Sequence, residues 1–279
     1  MSGFSAHWLA LREPVDRRSR NQRVLGACCG HFAGRESLHI LDLGCGTGAN
    51  LRALAPHLAP RQFWRLADHD PALLAAASAA LRGWADAAQD DGQILLLQKS
   101  GKTLHVAFCQ ADLSGDIAPM LAGDTDLVTA AALFDLCSET WIARFIAALA
   151  RRKLSLYAVL TYNGEESWYP PIASDADMLR AFTAHQQTGK GFGRAAGPEA
   201  PDCLIRELRQ HGYGIALGDS PWRLGPEDAG LMAALADSSA AAVAQTGQVA
   251  AARVETWRLA RRAAERCEIG HADIFACRF

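Results

Sequence analysis

Residues 38–50 read LHILDLGCGTGAN, and this stretch decides the fold. An apolar run with the length of a buried strand comes first, and Gly44, Gly46 and Gly48 follow it at alternate positions. A helical pattern of leucines comes next and continues to Pro60. Glycines allow a tight turn and let the backbone approach a ligand closely. The order of strand, glycine loop and helix predicts the opening of a βαβ unit.

The same alternation continues along the chain. Further apolar runs predict strands, and helical patterns separate several of them. The strands are expected at 63–67, 103–109, 126–133 and 154–162, and the helices between them at 71–84 and 138–150. Strands that alternate with helices predict a doubly wound α/β fold, with a mostly parallel sheet covered by helices on both faces.

The two ends of the chain and residues 163–200 depart from this alternation. Residues 163–200 contain many Gly, Pro and polar residues and a few large aromatic ones. This composition is typical of a segment that covers a site; the alternative interpretation is an inert surface connection. The remaining predicted helices and strands span 5–33, 202–211, 213–219, 226–245, 248–267 and 271–278. We expect one domain over 1–279, comprising an N-terminal helical cap at 1–36, a substrate lid at 163–200 and a helical insertion at 225–267.

The composition is that of an ordinary globular protein. The formal net charge is −2, so no overall field recruits nucleic acid or an anionic membrane. The eight cysteines form no C-x-x-C pair, which argues against a zinc site or a disulfide framework. The sequence has no signal-peptide pattern and no apolar run of about 20 residues. We expect a cytoplasmic protein without a metal; its oligomeric state stays open.

The ligand of the glycine loop has two candidate classes. Gly44, Gly46 and Ala49 satisfy the dinucleotide pattern G-x-G-x-x-G/A, so NAD is one of them. Two features favour a different ligand. Asp42 precedes the loop, where it would repel a pyrophosphate but accept hydrogen bonds from an amine, and the third glycine comes one residue early, at Gly48.

Two more acids follow the next strands. Asp68 comes 20 residues after Gly48 and could accept hydrogen bonds from both hydroxyls of a ribose, or it could cap the helix that begins at Pro71. Asp112 follows the third strand, where it could bind an adenine amino group or be an ordinary turn residue.

Four motifs in order resemble the class I family of S-adenosylmethionine (SAM)-dependent methyltransferases: LDLGCGTG at 41–48, ADHDP at 67–71, QADL at 110–113 and DLVTAAAL at 126–133. The resemblance covers about 38–162 and, more loosely, the final strands. It implies a Rossmann-like seven-stranded sheet in the order 3-2-1-4-5-7-6 with the last strand antiparallel. It also implies SAM as cofactor, bound by Asp42, Gly44, Gly46, Gly48, Asp68, His69, Asp112, Leu113 and Ala131.

The acceptor of the methyl group is expected to be a small molecule. Asp135 and His185 are the candidate general bases, although Asp135 could instead cap the next helix. Tyr162, Trp168 and Lys190 are the candidate substrate contacts, with a core anchor as the alternative role of Trp168.

Three other functions stay open. The first is an enzyme that uses SAM without methyl transfer, for example by intramolecular displacement at the sulfonium, and the second is a non-catalytic SAM-binding regulator. The third is an RNA methyltransferase, for which Arg258, Arg262 and Arg266 would form a basic stripe, or else an ordinary solvated helix face. In the N-terminal segment, arginines at positions 12, 17 and 20 could reach the SAM carboxylate, but surface charges are the more common case.

Overall fold

The computed structural model describes residues 5–189 and 191–278. In chain order the helices and strands are α1 (Ala6–Ser19), α2 (Gln22–His31), β1 (Ser37–Leu43), α3 (Ala49–Leu54), β2 (Arg61–Asp68), α4 (Pro71–Trp84), β3 (Ala87–Asp91), β4 (Ile94–Lys99), β5 (Lys102–Gln110), β6 (Leu127–Ala131), α5 (Glu139–Arg151), β7 (Ser155–Tyr169), α6 (Asp175–Gln186), α7 (Ala200–Gln210), β8 (Gly214–Asp219), β9 (Trp222–Leu224), α8 (Ala229–Thr246), α9 (Ala251–Arg262) and β10 (Arg266–Cys277).

The strands form one mixed sheet in the order β3-β4-β5-β2-β1-β6-β7-β10-β8, and β9 pairs with β10. The strands β5, β2, β1, β6 and β7 run parallel, whereas β10 is antiparallel to both β7 and β8. The residues of β1 belong to two hydrophobic clusters. Leu38 and Ile40 pack in one of them, and Leu41 and Leu43 pack in the other. Burial on both faces explains the continuous apolar run of such a strand. The predicted doubly wound α/β fold is confirmed.

The sheet has ten strands in the described part of the chain, where the sequence predicted seven. β3 and β4 form an antiparallel hairpin at one edge, with Gly92 at φ +64° in the turn, and β9 is a short strand against β10. Every residue of β3 is exposed, so it lacks the apolar alternation that identifies a strand in a sequence.

Residues 163–200 contain more regular structure than expected. β7 continues to Tyr169, past its predicted end at 162, because β10 pairs with it over the whole distance. α6 follows, and its first residue, Asp175, forms an ion pair with the buried Arg261 of α9 (2.6 Å). This part of the predicted lid is therefore joined to the helices before the last strand.

The N-terminal segment consists of two helices instead of one. The break falls at Arg20 and Asn21, where the Asn21 side chain accepts hydrogen bonds from two backbone N–H groups of α2. Glu13 of α1 binds Arg52 of α3 through two hydrogen bonds of 2.6 and 2.8 Å, which fixes α1 over the glycine loop. Among the described helices, none has both the length and the apolarity to cross a membrane.

Candidate active site

The glycine loop turns sharply at the carboxyl end of β1. Its three glycines have positive φ angles, +64° at Gly44, +53° at Gly46 and +75° at Gly48, a region that residues with side chains rarely adopt. A Cβ atom at Gly46 would lie 2.9 Å from Cδ1 of Leu9 in α1. The loop therefore requires glycine for its conformation, and α1 lies directly over Gly46.

Asp68 is buried at the carboxyl end of β2 and contacts the loop. Its Oδ2 accepts a hydrogen bond from the backbone N–H of Gly46 (2.8 Å), and its Oδ1 accepts one from Asp70 (3.1 Å) and lies 3.3 Å from Nδ1 of His69. Asp70, not Asp68, caps α4 by accepting from the N–H of Ala72 (2.8 Å). Because a carboxylate oxygen has two lone pairs, Asp68 retains acceptor capacity for a ligand.

Asp42 is fully buried at the end of β1 and belongs to a chain of hydrogen bonds. Asn50 of α3 donates to Oδ1 of Asp42 (2.7 Å) and to Oγ1 of Thr129 in β6 (3.1 Å). Arg20, after the end of α1, donates to Oδ1 of Asn50 (2.8 Å). Asn50 thus links a buried carboxylate at the carboxyl end of β1 to the guanidinium of Arg20.

These two groups of opposite charge keep unused hydrogen-bonding capacity. Oδ2 of Asp42 and Nε and Nη1 of Arg20 are buried without a hydrogen-bond partner in the described residues. Burial raises the pKa of Asp42 to about 7, against the opposing effects of the Asn50 hydrogen bond and the Arg20 charge. A cavity of about 20 Å³, room for one water molecule, adjoins Arg20, Asn50 and Ala131. Such a pair suits the ammonium and carboxylate groups of an amino acid.

The third strand end lies next to the second. The backbone N–H of Ala111 donates to the carbonyl of Asp68 (2.9 Å), which brings the ends of β2 and β5 together. Asp112 is exposed, and hydrogen bonds from Ser114, with a smaller effect of the His69 charge, lower its pKa. Leu113 is buried, and its carbonyl accepts a hydrogen bond from Nε1 of Trp141 (2.7 Å). An ionised carboxylate is thus exposed beside the strand end that carries Asp68.

Asp135 lies beyond the end of β6 and Tyr162 in the middle of β7, close enough for the charge of Asp135 to act on Tyr162. Asp135 occupies a short 3-10 turn, and Ser138 is the cap of α5. Oδ1 of Asp135 and the hydroxyl of Tyr162 are buried, and neither has a hydrogen-bond partner in the ranges that the structure describes. Burial raises the pKa of Asp135 to about 6, whereas the nearby charge of Arg12 lowers it. Burial and the charges of Glu166 and Asp135 raise the pKa of Tyr162.

Three more residues are predicted as a base or as substrate contacts: Trp168, His185 and Lys190. Trp168 is 6% exposed, donates to Oε1 of Glu166 (2.6 Å) and packs edge-to-face on Trp257 (5.9 Å), as a core anchor does, and its role as a substrate contact stays a prediction. Nε2 of His185 lies 3.1 Å from Oε1 of Gln245 in α8, and its role as a base stays a prediction. Lys190 lies outside the described residues.

The sequence did not indicate that Arg12 and Arg20 are buried, and it did not single out His271 or Trp222 as residues near the site. Arg12 and Arg20 are 9% and 5% exposed, so they are not the surface charges that a helical segment rich in arginine suggests. His271 is 6% exposed in β10, and nothing in its local sequence marks it. Within residues 5–189 and 191–278, no cluster of three or more His, Cys, Asp or Glu side chains could hold a metal ion.

No family model matches the sequence, and no curated protein matches it either. Solved structures do resemble it. A cyclopropane-fatty-acyl-phospholipid synthase-like protein of Lactobacillus casei has 15% identity and a TM-score of 0.53, with 98% of this chain and 94% of that chain covered. A cyclopropane synthase of Mycobacterium tuberculosis has 11% identity and a TM-score of 0.52, with coverage of 99% and 95%.

A candidate methyltransferase of Bacillus halodurans has 14% identity and a TM-score of 0.50, with 91% of this chain and 97% of that chain covered. At such identities the similarity concerns the fold. The chain therefore has the fold of the class I, Rossmann-like SAM-dependent methyltransferases.

Proposed function

We propose that this protein binds SAM and transfers its methyl group to a small molecule. The observation that carries the proposal is the buried pair of Asp42 and Arg20 beside the glycine loop. A buried carboxylate and guanidinium with unused hydrogen-bonding capacity are costly unless a ligand satisfies them. The zwitterionic amino-acid end of SAM offers an ammonium to Asp42 and a carboxylate to Arg20, whereas NAD has no such group.

The residues around the pair fit the rest of the molecule. Asp68 would accept hydrogen bonds from the ribose hydroxyls, and Asp112 would accept one from the adenine amino group. Gly44 and Gly46 would let the backbone approach the ligand, and His69, Leu113 and Ala131 line the strand ends as proposed contacts. When bound, SAM supplies a methyl group on a positively charged sulfur, which needs little activation.

The chain's own contribution is then alignment, exclusion of water and removal of a proton. α1 covers the loop through Leu9 and through the ion pair of Glu13 with Arg52, and so would keep water from the reacting groups. Asp135 would accept the proton of the acceptor, since a carboxylate with a pKa of about 6 is ionised and basic near neutral pH. Tyr162 would hold the acceptor.

Two observations support a small acceptor over RNA. The site is covered by α1 and largely buried. The predicted basic stripe does not form on one helix, because α9 ends at Arg262 and Arg266 is the first residue of β10. The two arginines on α9 are compensated, since Arg258 binds Asp237 and Glu255, and Arg262 also binds Asp237. Arginines that are already paired with carboxylates are poor binding groups for the phosphates of RNA.

The proposal is tested first by calorimetry with SAM, S-adenosylhomocysteine and NAD. We expect both adenosyl amino acids to bind and NAD not to bind. Incubation with methyl-labelled SAM and a metabolite extract should then transfer the label to a small molecule. Release of labelled methylthioadenosine would indicate displacement chemistry, and binding without any turnover would indicate a regulator. NAD binding tighter than either adenosyl ligand would overturn the proposal.

A further inference from the structure

A second group of buried polar atoms lies next to the proposed methyl-donor site. Besides Asp135 and Tyr162, it includes Nδ1 of His271 and Nε1 of Trp8, and both of these nitrogens are buried without a hydrogen-bond partner in the part of the chain that the structure describes. Leaving a buried polar atom unpaired costs about 1–3 kcal/mol. Four such atoms on neighbouring elements, α1, the segment after β6, β7 and β10, indicate a site built for a ligand.

The topology brings these residues together. His271 of β10 is the register partner of Tyr162 in β7, and their rings are 6.2 Å apart in an edge-to-face arrangement. The ring of Trp222 lies 5.1 Å from that of His271. The guanidinium of Arg12 in α1 lies 5.0 Å from the centre of the Trp222 ring. Trp8 is one turn before Arg12, on the same face of α1.

We propose that Asp135, Tyr162 and His271, with Trp8 and Trp222 as aromatic walls, form the acceptor site, and that the acceptor is an uncharged aromatic compound with a hydroxyl group. The inference rests on the proposed function, because it assigns the second substrate of the same reaction. Flat rings pack well among aromatic side chains. The hydroxyl group would donate to Oδ1 of Asp135, and its oxygen would accept hydrogen bonds from the hydroxyl of Tyr162 and from Nδ1 of His271.

The charges around the site favour an uncharged acceptor. Burial and the charge of Arg12 lower the pKa of His271 to about 3, against the opposing effect of a hydrogen bond with the backbone of Ile269, so the site disfavours a cation there. Burial raises the pKa of Asp135 to about 6, and it raises that of Glu166 too, so a second anion is disfavoured as well. Arg12 does not offer an available positive charge, because Asp16 already binds it (2.8 Å).

The reaction balances without another reagent. The acceptor oxygen forms a bond to the methyl carbon, the bond between that carbon and sulfur breaks, and its electron pair stays on sulfur. The hydroxyl proton moves to Oδ1 of Asp135. The products are the methyl ether and S-adenosylhomocysteine, and the proton leaves to solvent when the site opens.

Three probes of one shape and different charge test the inference: p-cresol, p-toluate and 4-methylbenzylammonium. Each is titrated by calorimetry into the protein saturated with S-adenosylhomocysteine. We expect the Kd of p-cresol to be about 10-fold or more below that of either charged probe. Tyr162→Phe should weaken p-cresol about 5-fold or more, the usual loss for one hydrogen bond. The affinity for S-adenosylhomocysteine should not change.

Tyr213→Phe is the matched control, because the Tyr213 hydroxyl donates to the carbonyl of Leu154 (2.8 Å) at the opposite end of β7. It should leave p-cresol binding unchanged. His271→Phe, which keeps the ring volume, should weaken p-cresol as Tyr162→Phe does. Equal affinity for a charged probe, or p-cresol binding that neither Tyr162→Phe nor His271→Phe weakens, would overturn the inference.

The same titrations separate this inference from the proposed function. If S-adenosylhomocysteine fails to bind, the proposed function falls, and the three probes are titrated into the protein alone, where the same ranking is expected. If S-adenosylhomocysteine binds but p-cresol does not, only the acceptor assignment falls.

Discussion

Replacement of Arg20 by alanine should selectively remove the affinity for the amino-acid end of SAM. Arg20 has two buried nitrogens, Nε and Nη1, that no group in the described residues satisfies, and it is 5% exposed. A hydrogen bond to a charged group contributes about 1.5–3 kcal/mol, so the loss should weaken S-adenosylhomocysteine about 10- to 150-fold. Methylthioadenosine has the same nucleoside without the amino-acid end, so its affinity should change by less than about 3-fold.

The assay is calorimetric titration of both ligands into wild type, Arg20→Ala and Arg18→Ala. The Arg18 side chain is 43% exposed and pairs with Asp228, and it does not line the cavity beside Arg20, which makes it a control for the general loss of a positive charge on α1. Circular dichroism confirms that each variant is folded. An equal loss of affinity for both ligands would show that Arg20 only supports the fold. Unchanged affinity for S-adenosylhomocysteine would refute the amino-acid site.

Three further results are expected. Gly46→Ala should lower the melting temperature and weaken S-adenosylhomocysteine in calorimetry, because the backbone at this position has φ +53°, a conformation that residues with a side chain rarely adopt, and the added methyl group would also displace the end of Leu9; a variant with normal stability and affinity would refute the requirement for glycine at this position. Asp68→Ala should weaken the binding of S-adenosylhomocysteine by about 1.5–3 kcal/mol in calorimetry. Asp70→Ala removes only a helix cap, so it should lower the stability of the fold without changing this affinity. The reverse pattern would assign the ribose to Asp70. The pKa of Asp42 is about 7 in the folded protein and near 4 in the unfolded chain, so its contribution to stability is present at low pH and declines as the pH rises between these values. In urea unfolding at several pH values, the free energy of unfolding of Asp42→Asn should therefore depend less on pH than that of wild type. An unchanged pH dependence would contradict the raised pKa.

The central part of the fold was predictable because its signals are local. The run at 38–50 contains a strand, its turn and the start of a helix in adjacent residues, and the helix at 71–84 is found with the predicted bounds. The hairpin of β3 and β4 was missed for the opposite reason. β3 is exposed and shows no alternation, and only the dipeptide Asp91-Gly92 signalled its turn.

The candidate site was predictable only for polar residues that lie at the end of a predicted strand. Asp42 and Asp68 follow apolar runs, so their place at one edge of the sheet follows from the alternation. Arg20 and His271 come from opposite ends of the chain and meet the site only through the packing of α1 and the pairing of β10 with β7. No local pattern encodes such a meeting, and the buried state of Arg20 depends on it.

The position of α1 over the glycine loop has a kinetic consequence. Leu9 lies against Gly46, and the cavity of about 20 Å³ beside Arg20 is far smaller than an adenosyl amino acid. For the proposed function, α1 would therefore have to move away from the loop in each cycle, which breaks the contact between Glu13 and Arg52, and then return. Such movements commonly take microseconds to milliseconds and limit turnover through product release. In rapid-mixing experiments the first equivalent of methylated product should accordingly form in a burst, followed by a slower steady state.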